Sequence, residues 1–173
     1  MRKILLVIDM QNDFIDGSLG STEAKSIVQN VINKIKEYPA ENVFATKDTH
    51  EANYLSTSEG KHLPVEHCIR GSKGRDIRAE ISSLIPSENV YEKGTFGSVK
   101  LAEKVAEMAH KEEIAIEMVG LCTDICVVSN ALLIKAYLPE IPISVDSSCC
   151  AGVTPEKHEA ALETMRSCQI NVE

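Results

Sequence analysis

Short apolar runs alternate with helical repeats along this chain. Residues 3–8 include a continuous run of Ile, Leu and Val, which is typical of a strand buried on both faces of a parallel sheet. Residues 21–38 instead carry apolar side chains at steps of three and four, with lysines on the opposite side. This second pattern predicts an amphipathic helix, and both patterns recur towards the C terminus.

The same criteria predict the remaining strands and helices. We expect strands at residues 42–46, 89–91, 114–119, 141–145 and, at the sheet edge, 170–172. We expect helices at residues 76–85, 98–110, 124–137 and 154–167, the last opened by Thr154 and Pro155. Residues 51–74 lack either pattern and are too many for a routine connection. They are therefore either functional or a sign that the assignment is wrong there.

The alternation of strands and helices predicts an α/β fold, with a mostly parallel sheet covered by helices on both faces. The chain has 173 residues, which suits one domain over residues 1–173. A domain of this size buries most of its apolar surface and needs no disulfide or metal to fold.

Charge and hydropathy exclude several classes of function. The formal net charge of −8 argues against a protein that neutralises nucleic-acid phosphates. The longest apolar run is far shorter than a bilayer span. The N terminus imitates a signal peptide, but Asp9 interrupts its short apolar stretch and no small-residue cleavage site follows. We therefore expect a cytoplasmic protein that binds neither nucleic acid nor membranes.

Reactive side chains follow four of the predicted strands. Asp9 follows the first strand, and Asp48 and His50 follow the second. Lys93 follows the third strand and Cys126 follows the fourth. Ligands of open parallel sheets bind outside the carboxyl ends of the strands. Four such ends on one edge can converge in space, which predicts a ligand site there.

Cys126 lies in the first turn of a predicted helix. Unpaired amides and the helix dipole stabilise a thiolate at such a position, and the amides of Cys122 and Cys126 could hold a developing oxyanion. With Asp9 as base and Lys93 as cation, Cys126 completes the parts that acyl transfer requires. Taken singly, these residues have ordinary alternatives: a core thiol, a surface acid and a solvated lysine.

A second group of residues has the chemistry of a metal site. Asp48 and His50 are two residues apart, so both side chains point the same way on an extended segment. The following loop adds Glu59, His62, Glu66 and His67. Carboxylate and imidazole together suit Zn, Fe or Mn, although histidines in polar loops are usually only solvated. His110 and His158 lack such neighbours, and we expect them to be surface residues.

The chain carries six cysteines and no Cys-x-x-Cys pair, so neither a zinc ribbon nor a thioredoxin-type motif is expected. Cys149 and Cys150 are adjacent and cannot easily bridge to each other. In a cytosolic chain of this size we expect the thiols to be free and mostly buried.

Four segments together carry a family resemblance. Residues 8–14 (IDMQNDF), 47–50 (KDTH), 92–94 (EKG) and 120–127 (GLCTDICV) resemble the isochorismatase-like cysteine hydrolases, and among these most closely the nicotinamidase group. The resemblance covers nearly the whole chain. It implies a three-layer α/β/α sandwich around a central six-stranded, mostly parallel sheet, in agreement with the pattern above.

The resemblance implies a catalytic triad at Asp9, Lys93 and Cys126. In the family the cysteine attacks an amide carbonyl, the aspartate transfers protons and the lysine helps to stabilise charge. Ammonia leaves, and water then hydrolyses the thioester. The family's oxyanion hole uses amides equivalent to those of Cys122 and Cys126, and a non-proline cis peptide, here Leu121–Cys122, precedes the first of these.

Two aromatic residues are candidates for lining the substrate ring. Phe14 matches an aromatic residue that has this role in the family, and Phe96 lies just past the proposed catalytic lysine. Ordinary core packing is the alternative for both residues, and for Phe96 the two interpretations are equally balanced.

The resemblance further implies one divalent metal ion, which in nicotinamidases binds the pyridine nitrogen of the substrate. The matching ligands are Asp48, His50 and His67, with Glu59 the best candidate for the fourth and His62 or Glu66 its competitors. We expect zinc, with iron or manganese as alternatives.

Isochorismatases and several carbamoyl hydrolases of this fold generally lack the histidine-containing set. The resemblance therefore favours a nicotinamidase that converts nicotinamide to nicotinate and ammonia in NAD salvage. One alternative is a hydrolase of another small amide or carbamoyl compound, and another is a non-catalytic protein of the same fold. Family members often form dimers or tetramers, so a homo-oligomer is also an expectation.

Overall fold

A six-stranded, all-parallel sheet forms the centre of the molecule, and the computed structural model describes residues 1–173. Its strands follow the spatial order β3-β2-β1-β4-β5-β6, and each neighbouring pair is parallel. The strands are β1 (Arg2–Ile8), β2 (Val43–Asp48), β3 (Val90–Lys93), β4 (Ile114–Leu121), β5 (Ile143–Ala151) and β6 (Asn171–Val172).

Helices connect the strands, and most of them lie where the periodicity predicts. They are α1 (Asn12–Ile15), α2 (Thr22–Ile35), α3 (Ser58–His62), α4 (Ala79–Ser82), α5 (Val99–Ala109), α6 (Val128–Tyr137) and α7 (Pro155–Ser167). A π-helical turn, Thr123–Val127, leads directly into α6. None of the helices combines the length and the apolar character that a bilayer crossing needs.

The side chains of β1 show why the sheet needs a helical layer on each face. Ile4, Leu6 and Ile8 pack into a core with residues of α5, α6 and α7. The alternate residues Leu5 and Val7 pack into a second core with residues of α2. Successive side chains of a strand point to opposite faces, so a continuous apolar run requires two cores. The predicted three-layer α/β/α sandwich is confirmed.

Two elements differ markedly from their predicted extents. The helix predicted at residues 76–85 is only the single turn α4, because the backbone there turns to the chain that follows β1. Ile77 forms an isolated antiparallel bridge with Gln11, and the amide of Arg78 donates to the carbonyl of Met10. Strand β5 extends to Ala151, well beyond the predicted end at residue 145, and its register against β4 shifts near Gly120.

The order of the strands reverses between β1 and β4, which are neighbours in the sheet but not in the chain. In open α/β sheets, ligands bind at the carboxyl ends of the strands beside such a switch point. Gly120 has a φ of +123° and lies so close to Ile8 that a Cβ atom would overlap the Ile8 backbone. Glycine therefore allows the ends of β1 and β4 to approach each other.

Candidate active site

The side chains that follow β1, β3 and β4 meet at one point. The ammonium of Lys93 lies 2.7 Å from a carboxylate oxygen of Asp9 and 3.5 Å from the sulfur of Cys126. Asp9 is fully buried, and Lys93 and Cys126 are only 6% and 5% exposed. A carboxylate, an ammonium and a thiol thus share a pocket with little access to water, where charges interact strongly.

Burial governs the proton affinities of these three groups. Burial, and after it the Asp9 carboxylate, raises the pKa of the Cys126 thiol well above its ordinary value, and Lys93 opposes this only in part. Burial also raises the pKa of Asp9, against the charge of Lys93. Burial disfavours the charged form of Lys93, but the carboxylates of Asp9 and Asp48 outweigh burial and raise the Lys93 pKa.

The pKa of Cys126 changes one expectation. The first turn of a helix predicted a thiolate, whereas the buried site favours a neutral thiol beside a charged lysine. The difference arises because desolvation and two carboxylates act on the sulfur at short range. Attack by the sulfur therefore requires that a neighbouring group takes its proton, and Asp9 is suitably placed.

Thr46 holds Asp9 in its unusual conformation. The backbone amide of Asp9 donates to the Thr46 hydroxyl at 3.1 Å, and that hydroxyl donates to Asp9 Oδ1 at 2.6 Å. Asp9 has a φ of +46°, a left-handed conformation that aspartate tolerates better than most residues. Thr46 is fully buried and was not singled out from the sequence, because its partner is 37 residues away.

Cys126 lies in the π-helical turn between β4 and α6. The peptide bond Leu121–Cys122 is cis, as the resemblance implies. Asn130, one turn further along, is fully buried and donates to the Cys126 carbonyl at 2.8 Å, while its side-chain oxygen accepts the Ser98 amide at 2.9 Å. Asn130 thereby ties the turn that carries Cys126 to the segment after Lys93, a role that the sequence did not reveal.

A four-residue group with metal-ligand chemistry lies beside the triad. One ligand atom from each of Asp48, His50, Glu59 and His67 lies within 4.8 Å of the other three. His50 Nε2 is 3.0 Å from Asp48 Oδ2 and 3.6 Å from Glu59 Oε1, and His67 Nε2 is 3.7 Å and 3.5 Å from the same two oxygens. Ligands about 2.0–2.2 Å from a tetrahedral ion lie about 3.3–3.6 Å apart. The group therefore fits a divalent metal.

Among the candidates for the fourth position, the structure brings only Glu59 to the group. Glu59 lies in α3, where the Thr57 hydroxyl accepts the Gly60 amide and caps the helix. His62 and Glu66 are exposed and do not belong to the group. The long stretch that lacked a pattern is thus the segment that carries two of the four residues.

Hydrogen bonds around this group orient its members. His67 Nδ1 is 2.8 Å from the carbonyl of Val65, an acceptor, which leaves Nε2 free to face the group. Gln11 is fully buried, donates to the Asp48 carbonyl at 2.8 Å and accepts the Asp48 amide at 2.7 Å. Tyr54, also fully buried, packs its ring 4.8 Å from the ring of His50 and 5.0 Å from that of His67.

The two candidate substrate walls have different surroundings. Phe14 is buried, and its ring lies 5.5 Å from the ring of His67, so it borders the four-residue group. Phe96 is 46% exposed, and its carbonyl accepts from Asn130. Only Phe14 has a described ring contact with the site.

Comparison with known proteins assigns the chain to a family. The protein-family model described as "Isochorismatase domain" matches residues 3–173. The chain therefore belongs to the isochorismatase family. It is 28% identical over 188 residues to a protein named nicotinamidase/pyrazinamidase from Mycobacterium tuberculosis, covering 98% of this chain and 97% of the relative.

Solved structures share the fold over its full length. The nicotinamidase/pyrazinamidase PncA from Bacillus subtilis superposes with a TM-score of 0.82 at 28% identity, over 99% of each chain. The pyrazinamidase of Pyrococcus horikoshii, solved in complex with zinc, gives 0.82 at 23% identity, over 100% of this chain and 99% of the other. At that lower identity the likeness concerns the fold alone.

Proposed function

We propose that this protein is a metal-assisted cysteine amidohydrolase that converts nicotinamide to nicotinate and ammonia. The observation that carries the proposal is the position of Asp48 between the two groups. Its Oδ1 lies 3.4 Å from Lys93 Nζ, and its Oδ2 lies 3.0 Å from His50 Nε2. The metal group and the nucleophile are therefore neighbours, which suits a small substrate with a ligand atom and an amide on one ring.

In the first half of the reaction the sulfur replaces ammonia. Asp9 takes the proton of the Cys126 thiol as the sulfur attacks the amide carbon, and the carbonyl electrons move to oxygen. The amides of Cys122 and Cys126 stabilise that oxyanion. The tetrahedral species collapses, the carbon–nitrogen bond breaks and Asp9 returns the proton to the leaving nitrogen. The products of this half are ammonia and a thioester on Cys126.

In the second half water replaces the sulfur. Asp9 takes a proton from a water molecule while the oxygen of that water attacks the thioester carbon. The amides of Cys122 and Cys126 again stabilise the oxyanion. The carbon–sulfur bond breaks, and the proton returns from Asp9 to the Cys126 sulfur. Lys93 stays charged throughout because its pKa is raised, so it stabilises the negative charge that passes between sulfur and carboxylate.

Asp48, His50, Glu59 and His67 would hold the metal, and we propose zinc because two histidines with two carboxylates suit it, with iron or manganese as alternatives. When bound, the ion supplies a Lewis acid for the ring nitrogen. Phe14 borders this position and would line the ring. The protein's contribution is orientation: a bound ring holds its amide near Cys126.

A second candidate is a hydrolase of another small amide or carbamoyl compound. It is favoured by the surroundings of the two candidate walls, since only Phe14 borders the metal group, whereas Phe96 is 46% exposed and has no described ring contact there. A non-catalytic role would leave unexplained why a buried acid, cation and thiol are held together.

Ammonia release over a panel of amides tests the proposal. The zinc-supplied protein should turn over nicotinamide and should turn over benzamide, which has the same ring size but no ring nitrogen, far more slowly. If an aliphatic amide or a ureido compound turns over while nicotinamide is inert, the second candidate replaces the first. If no amide turns over, the proposed enzyme activity is wrong.

A further inference from the structure

We propose that His158 is a positioning residue that fixes the oxyanion-hole turn through the hydroxyl of Thr123. The proposal rests on the proposed amide hydrolysis, because that reaction needs the amides of Cys122 and Cys126 to face one oxyanion. Neither His158 nor Thr123 belongs to the triad or to the metal group. The sequence predicted an ordinary surface residue at His158, and the structure gives it a specific partner.

The contact joins a buried hydroxyl to an imidazole from another element. Thr123 is fully buried, and its Oγ1 is hydrogen-bonded to Nδ1 of His158 at 2.8 Å. Thr123 follows Cys122 directly and opens the turn that contains Cys126. A displacement of Thr123 therefore moves the backbone between the two proposed oxyanion donors.

A second hydrogen bond holds the next residue of the turn to the same neighbouring segment. Asp124 Oδ1 accepts the amide of Val153 at 2.9 Å. Val153 precedes the N-cap of α7 and His158 lies in its first turn, so two side-chain hydrogen bonds attach Thr123 and Asp124 to the start of this helix. The π-helical turn therefore packs against the start of α7.

The position of His158 is itself well fixed. Its amide donates to the Thr154 carbonyl at 3.0 Å, in the first turn of α7. The Thr154 hydroxyl caps that turn by accepting the Lys157 amide at 3.2 Å. A Cβ atom on Gly152 would lie 2.8–2.9 Å from the backbone and Cβ of His158, so glycine allows this close approach.

The turn itself has an unusual hydrogen-bond pattern. The amides of Ile125 and Val127 both donate to the Cys122 carbonyl, at 3.0 Å and 3.1 Å. The second of these spans five residues, the π-helical pattern, which is rare and concentrated at functional sites. Oxyanion donors act through accurate placement, so a hydrogen bond that fixes the turn contributes to catalysis without touching substrate.

The test compares variants that remove only the hydrogen bond with one that keeps it. Thr123→Val preserves the shape and removes the hydroxyl, Thr123→Ser keeps the hydroxyl, and His158→Ala removes the partner. The readouts are kcat and KM for nicotinamide and the affinity for pyridine-3-carbaldehyde, whose adduct with a thiol carries an oxyanion-like oxygen. His110→Ala is the matched control, since His110 also lies at a helix and bonds only to a carbonyl of that helix.

We expect Thr123→Val and His158→Ala each to lower kcat about tenfold and to weaken aldehyde binding by a similar factor, with KM within about twofold. The double variant should lose no more than either single variant, because both remove one interaction. Thr123→Ser and His110→Ala should keep both quantities within about twofold of the unsubstituted protein.

The proposal is overturned if Thr123→Val and His158→Ala keep both kcat and aldehyde affinity, or if Thr123→Ser loses as much as Thr123→Val. If His158→Ala fails to fold, the Val and Ser variants at position 123 decide the question by themselves. An unsubstituted protein that releases no ammonia from nicotinamide contradicts the proposed function instead. The aldehyde affinities of the variants then still decide the role of the hydrogen bond.

Discussion

Two lysines of this protein are each paired with two carboxylates from other elements, and the two sites behave differently. Lys93 lies 2.7 Å from Asp9 and 3.4 Å from Asp48 at the carboxyl ends of the strands. Lys34, on α2, lies 3.0 Å from Glu117 and 2.9 Å from Asp146 on the sheet. The side chain of Lys93 is 2% exposed, whereas that of Lys34 is 18% exposed.

The pKa values of one carboxylate from each site, Asp9 and Asp146, shift in opposite directions. Burial raises the pKa of Asp9 despite Lys93. Burial also acts to raise the pKa of Asp146, but hydrogen bonds from Ser148 and Lys34 outweigh it and lower the pKa. A carboxylate beside a lysine therefore has a lowered pKa at the partly exposed Asp146 and a raised pKa at the fully buried Asp9, as the proposed base requires. A thiol lies beside each site, Cys126 next to Lys93 and Cys149 next to Asp146.

Replacing each lysine by methionine should separate the two roles most strongly. We expect Lys93→Met to lower kcat/KM for nicotinamide by about 10³-fold, because the sulfur and Asp9 lose the cation that stabilises their negative charge. Lys34→Met should leave kcat/KM within about twofold. Steady-state kinetics on both variants checks the prediction, and equal losses of activity would contradict the division of roles.

Removing the metal should lower the stability through the ligand group beside Lys93 and should not depend on the Lys34 site. We expect chelation to lower the free energy of unfolding by about 2.7 kcal/mol at a metal concentration of 100 times its Kd. The Lys34→Met variant should show the same decrease, whereas His50→Ala should show almost none because its ligand set is broken. Thermal melts with and without chelator, read with elemental analysis, measure this. A chelator without effect on the unsubstituted protein would argue against a metal at this group.

The pH dependence of activity should report the raised pKa of Asp9. The base must be unprotonated, so kcat/KM should fall as the pH is lowered through a pKa above the ordinary aspartate value. Thr46→Val removes a hydrogen bond that lowers this pKa, so the acidic limb should move to higher pH. Thr46→Ser keeps the hydroxyl and should show the pH profile of the unsubstituted protein. An acidic limb that stays in place in Thr46→Val would contradict the assignment of Asp9 as the base.

The smallest effect should appear in the acid stability of the Lys34 site. A lowered pKa in the fold means that Asp146 contributes stability above its ordinary value of 3.8 and loses it as the pH falls through the lower folded value. We expect Lys34→Met to destabilise the protein by about 1 kcal/mol near neutral pH, with the difference shrinking below about pH 4. Urea unfolding at several pH values tests this. A difference that persists at low pH would show that lost packing, not charge, is responsible.

The residues at the strand ends could be predicted from the sequence for a simple geometric reason. Parallel strands that are neighbours bring their carboxyl ends to one edge, so the positions of Asp9, Asp48, Lys93 and Cys126 were predictable from the apolar runs that precede them. The family membership and the free cysteines are likewise confirmed. The roles given to the site residues, the cytoplasmic location and the homo-oligomer stay predictions.

Residues that act through distant contacts could not be predicted from the sequence. Thr46, Gln11, Asn130 and His158 are ordinary polar residues in the sequence, and each matters through a partner that is remote in the chain or in another element. Glu59 was the best of three candidates for the fourth member of the metal group, and the choice among them needed the path of the long loop. The full extent of the helix predicted at residues 76–85 was wrong because of another distant contact. Its first residues bond to the chain after β1.

The most direct test of the account is ammonia release from nicotinamide by the zinc-supplied Cys126→Ala variant. The matched control is Cys150→Ala, which removes another buried thiol of the same core but no part of the proposed site. We predict that Cys126→Ala keeps its fold by circular dichroism and releases no ammonia above the uncatalysed rate, while Cys150→Ala retains activity. Turnover by folded Cys126→Ala at a rate close to that of the unsubstituted protein would contradict the central claim.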